Sequence, residues 1–146
     1  MLRTWFIGAV LVAGVAGQAQ SPIIDRVGPT AFIQTESPSF TKLSPQQKEL
    51  AYWLTQAAIA IDPIIFDQLS RYGLRQKTIL EAVVSNQAKI DPAVYAKVLE
   101  YTKLFWANRG NHNENTSQKF LPAFTAESLS AALRAAGRVD LLTAVS

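Results

Sequence analysis

The sequence predicts a mainly α-helical domain of about five amphipathic helices, placed after a secretory signal peptide and an extended linker. Three observations predict it. A capping residue followed by proline recurs at Ser44-Pro45, Asp62-Pro63 and Asp91-Pro92, the pattern that opens helices. Apolar residues after each opening recur at helical spacing. No sustained alternation of apolar and polar residues marks a strand.

The chain has 146 residues, room for one domain. Residues 1–19 read as the signal peptide. Arg3 supplies a basic start, Phe6 to Ala16 is an apolar run too short to span a bilayer, and Gly17 and Ala19 are small residues for cleavage after Ala19. The product would be secreted or periplasmic, with no membrane attachment after cleavage. The formal charge of +3 falls to +2 without Arg3, and the basic residues are scattered, so nucleic acid is not an expected partner. There is no cysteine, hence no disulfide framework, no thiolate metal site and no thiol nucleophile.

Residues 20–42 are rich in proline, serine, glycine and threonine and read as an extended leader. Ile23, Ile24, Phe32, Ile33 and Phe40 are candidates to pin it to a body. A helical domain over 43–137 follows. Its first helix has a capping box, Ser44 with Gln47, and an apolar face of Leu50, Trp53, Leu54, Ala57, Ala58 and Ile61. A second helix is expected from Asp62, with Ile65, Phe66 and Leu69 buried and Gly73 as its left-handed terminator. A third carries Ile79, Leu80, Val83 and Val84.

The fourth helix opens at Asp91-Pro92. Val94, Val98, Tyr101 and Phe105 form one stripe, with Tyr95, Leu99, Thr102 and Trp106 beside it. Lys103 and Arg109 suit the negative end of its dipole, and Gly110 terminates it. The fifth is capped by Thr125, stapled by Phe124 and Leu129, buried through Leu129, Ala132, Leu133 and Ala136, and ended by Gly137. Trp53 and Trp106 are expected in the core. Residues 138–146 form an atypical tail.

Catalytic groups are scarce. A catalytic zinc needs about three converging ligands, and His112 is the only histidine, so neither a metal site nor a bound cofactor is expected of this chain. No nucleophile elbow or glycine-rich phosphate loop is present, and no residue is assigned a catalytic role. A small hydrolase using His112 is the weakest of the functional alternatives. The most distinctive segment is "FWANRGNHNENTSQKFLP", Phe105 to Pro122, with four of the five asparagines. Such a loop either bonds its own backbone or presents a wall of amides to an extended peptide or polar ligand.

Three segments together resemble the N-terminal part of the dipeptidyl peptidase III family of zinc metallopeptidases. They are "LSPQQKELAYWLTQAA" from Leu43, "DPIIFDQLSRYG" from Asp62, and the Phe105–Pro122 segment with Asn108, Gly110 and His112 followed by Lys119, Phe120 and Pro122. The resemblance spans roughly residues 43–136. It implies that the helices belong to the lower lobe of a larger two-lobed α+β enzyme that releases dipeptides from the amino end of peptides. In that family zinc is held by a His-Glu-x-x-Gly-His helix and a further glutamate, neither of which is encoded here. The chain is therefore expected to be a truncated, inactive portion. Asn111, His112 and Asn115 would line the cleft near the amino end of the peptide substrate. The alternative is a free-standing exported helical module that binds a partner through the loop 108–117.

Overall fold

The computed structural model of the chain describes residues 21–145. The signal-peptide reading of residues 1–19 lies outside them. The described chain is mainly helical. A β-hairpin, β1 (Ile23–Val27) and β2 (Thr30–Ile33), precedes four α-helices: α1 (Pro45–Leu69), α2 (Gly73–Val84), α3 (Pro92–Asn108) and α4 (Ala126–Ala135). Short 3-10 turns cover Pro38–Lys42, Gln87–Lys89 and Val139–Ala144.

The hairpin corrects the expectation of a strandless leader. Gly28 adopts φ 54°, which lets a two-residue Gly28-Pro29 turn reverse the chain, with Val27 opposite Thr30. Burial alternates along β1, but apolar Ile24 takes an exposed position and charged Asp25 a half-buried one, so the residues do not show the alternation that would have marked the strand. Of the expected pins, Ile24, Ile33 and Phe40 are exposed, while Ile23 and Phe32 are half-buried. An ion pair also ties the hairpin to α3, Lys103 Nζ to Asp25 Oδ2 at 2.6 Å. Lys103 thus serves the hairpin, and its ammonium, with the Arg26 N–H, holds the Asp25 carboxyl below its ordinary value.

Helix starts follow the sequence closely. The Gln47 N–H donates to Ser44 Oγ at 3.3 Å and the Ser44 N–H to Gln47 Oε1 at 2.9 Å. Asp91 Oδ1 accepts from the N–H groups of Ala93 and Val94, both at 3.0 Å. Thr125 caps α4 in a reciprocal box with Ser128. At the other end of α4, Gly137 (φ 76°) lets the Arg138 N–H reach Leu133 O at 2.8 Å and the Gly137 N–H reach Arg134 O at 3.0 Å.

The break expected at Asp62-Pro63 does not occur. Pro63 lies inside the continuous 25-residue α1. Its ring lacks one donor, but Phe66, a turn further on, is anchored in the core, and Asp62 is engaged elsewhere rather than capping. The first two expected helices are therefore one element among the described residues. Gly73 is not a left-handed terminator either. It is buried at the start of α2, where a Cβ would overlap the Phe66 carbonyl oxygen, so α1 and α2 meet there only because the side chain is absent.

The core lies among α2, α3, α4 and the last turns of α1. Phe66, Val83, Val98, Phe105 and Leu133 are fully buried, with Ile79, Leu80 and Ala132 around them. Phe105 stacks on Phe66 at 5.5 Å and on Tyr101 at 6.2 Å, and Tyr101 meets Phe124 edge-on at 5.6 Å. Burial raises the Tyr101 hydroxyl above its ordinary pKa. Thr102 is the one buried polar residue of the described core, and its hydroxyl donates to Val98 O at 2.7 Å.

The expected burial of α1 fails. Leu50, Trp53, Leu54 and Ile61 are all exposed, as are Ile65 and Leu69, and only Phe66 of this helix is buried. Trp53 at 60% and Trp106 at 38% exposure are surface residues, not core. The stretch of α1 from Leu50 to Ile61 is mostly apolar and, Ala51 apart, exposed among the described residues.

Candidate functional site

The polar segment after α3 is built by its own side chains. Asn108 Nδ2 donates to Leu104 O at 2.8 Å, and Asn108 Oδ1 accepts the Glu114 N–H at 3.1 Å, so this amide joins helix end to loop. The expected stop at Gly110 falls one residue early. Arg109 itself adopts the left-handed conformation, φ 52° and ψ 28°, and the Gly110 N–H reaches Phe105 O at 3.0 Å. A non-glycine residue there is strained by about 1 kcal/mol or more. Arg109 Nε donates to Asp62 Oδ1 at 2.8 Å, which ties the turn to the middle of α1.

Beyond Gly110 the chain forms a small antiparallel ribbon. His112 pairs with Lys119, and the Phe120 N–H donates to Asn111 O at 2.8 Å. At the tip, Asn113 Oδ1 accepts from the N–H groups of Asn115 (2.9 Å) and Thr116 (3.0 Å). The Ser117 N–H donates to Asn113 O at 2.8 Å, with Ser117 at φ 58° closing the turn. Asn108 and Asn113 therefore hold the backbone. Among the described residues no hydrogen bond engages the side chains of Asn111 or His112.

This ribbon and the last turns of α1 enclose a cleft of about 500 Å³. Ile65 and Leu69 give it an apolar floor, while Asn111, His112, Glu114 and Ser117 form a polar wall. Of the three residues singled out in the sequence, Asn111 and His112 come together on this wall. Asn115 sits on the exposed tip, away from it. Ile65, Leu69 and Glu114 were missed. Ile65 and Leu69 carry a signal, apolar positions in the helix after Asp62, but that pattern predicts burial rather than an open floor. Chemically the cleft offers hydrogen bonds from amides, an imidazole and a carboxylate above an aliphatic surface, the usual makeup of a small binding site.

Among the described residues no three histidine, aspartate or glutamate side chains converge to hold a metal ion. His112 and Glu114 alone do not fit a zinc site. No family model and no curated protein matches the chain.

Proposed function

We propose that the chain is the N-terminal portion of an exported zinc metallopeptidase resembling dipeptidyl peptidase III. In this reading it belongs to the lower lobe, and the full enzyme removes dipeptides from the amino end of peptides. The observation that carries the reading is the placement of the segment with the family motif. Asn111 and His112 stand over the apolar floor of the cleft, on a ribbon fastened through Asn108, Arg109 and Asn113. A polar wall with the Asn111 amide and the His112 imidazole beside an aliphatic floor suits an extended peptide, whose backbone needs donors and acceptors and whose side chains need apolar contact. Support also comes from α1, since a helix bare and apolar on most sides is built to be covered by further polypeptide.

Zinc and the base that activates water would come from polypeptide beyond this chain, so the chain alone is inactive. The test is to sequence the DNA downstream of the codon for Ser146. A His-Glu-x-x-Gly-His motif in any of the three forward frames is the expected result, and its absence from all of them sinks the reading. A second reading, a free-standing binding module, is favoured by the closed core, in which no buried side-chain polar atom lacks a partner among the described residues. That module would bind peptide through the same loop without any downstream partner.

A further inference from the structure

The bare surface of α1 has an internal symmetry. Leu50, Leu54, Ala57, Ala58, Ile61 and Ile65 are all exposed. At 100° per residue they share one side of the helix, within an arc of about 100°, and Phe66 points into the core from about 130° further round. The strip is open from Leu50 to Ile61, and its last residue, Ile65, is also exposed at the mouth of the cleft that it floors. No Asp, Glu, Lys or Arg occurs from Leu50 to Ile61, so nothing along that stretch repels an identical surface. The residues are also arranged about a midpoint between Ala57 and Ala58. Leu50 and Ile65 are equally distant from it, as are Leu54 and Ile61, with the small residues at the centre and the large ones outside.

We propose that a second copy of this chain covers the strip, with the two α1 helices antiparallel about a twofold axis at Ala57–Ala58. Leu50 of each copy then meets Ile65 of the other, Leu54 meets Ile61, and the alanines allow close helix approach. The area is sufficient. With Trp53 and Ile64 added, six large side chains contribute on the order of 100 Å² each, about 600 Å² per partner, which reaches the lower end of the ~1,200–2,000 Å² total buried in specific interfaces. An unsymmetrical partner would not require the two halves of the strip to mirror one another, which is why a copy of the same chain is the occupant. The pairing concerns this chain by itself. It is tested separately from the metallopeptidase reading, in which further polypeptide would compete for the same strip.

The test uses the full chain purified after export. Sedimentation should report a dimer at micromolar concentration, and Ile61→Glu should convert it to a monomer with unchanged helical circular dichroism. Geometry is checked with single cysteines, since the chain has none. A mixture of Leu50→Cys and Ile65→Cys copies should form disulfide dimers on mild oxidation. Leu50→Cys alone should not, because like sites would lie about 22 Å apart along the axis. A monomer at every concentration, open-ended aggregates, or efficient self-linking of Leu50→Cys each overturn the pairing. A monomer leaves the metallopeptidase reading standing, and a downstream sequence without the zinc motif leaves the pairing standing, so the two failures are distinct.

Discussion

The α2–α3–α4 body and α1 have similar apolar content and opposite fates. Val98, Phe105 and Leu133 are completely buried, while Leu50, Leu54 and Ile61 are each more than half exposed. The difference is not one of helix start, because α1 has a complete capping box, as α4 does. It is one of neighbours. In the body three helices face one another and close over a shared aromatic cluster. In α1 only the last turns reach that cluster, through Phe66. Apolar periodicity therefore marks a face that is to be covered, and it does not say by what.

Three perturbations sharpen this contrast. The largest effect is expected in the body. Phe105→Ala removes a ring stacked on two others and should cost about 3–5 kcal/mol in urea unfolding. Tyr52→Ser, on the unpacked half of α1 and away from the symmetric strip, should change stability by less than about 0.5 kcal/mol. Equal losses would show that Tyr52 is buried in solution.

Next comes the junction between the two regions. Gly73→Ala places a Cβ against the Phe66 carbonyl oxygen and must push α1 from α2, at a cost of about 2 kcal/mol. A neutral result in the same unfolding measurement would mean that the two helices are not in close contact.

The smallest effect belongs to the hairpin. The Asp25 carboxyl is lowered, first by the Lys103 hydrogen bond, so its charged form is favoured in the folded chain. Its contribution is complete above the ordinary carboxylate value of 3.8 and is lost as pH falls through the lowered one. In an acid titration followed by NMR, the amides of β1 should shift below pH ~4 while those of the core stay put, and Asp25→Asn should abolish that step. An Asp25 that titrates at its ordinary value would mean the ion pair does not form.

Much of the local structure was legible. The caps at Ser44, Asp91 and Thr125 and the stop at Gly137 act through bonds between residues two to five apart, so the code is short-range. The stripe of Val98 and Phe105 was legible for the same reason. The β-hairpin was not, because Ile24 is exposed and Asp25 half-buried, the reverse of their polarity, and only Gly28-Pro29 marked the turn. In the candidate site, the sequence pointed to Asn111 and His112. It could not separate them from Asn115, because the Asn113 turn that lifts Asn115 to the tip depends on a specific backbone conformation. Nor could it show that Ile65 and Leu69 approach from 40 residues earlier in the chain.

By itself the sequence determined the helical class, most helix starts, and the short list of polar residues that could form a site. Only the tertiary structure decided that Pro63 lies within one long helix, that Arg109 takes the left-handed position beside Asp62, and that α1 stays bare. Capping and periodicity are local, with energies set within one or two turns. Burial and ion pairing between distant elements depend on which surfaces meet, and one chain segment read alone does not contain that information.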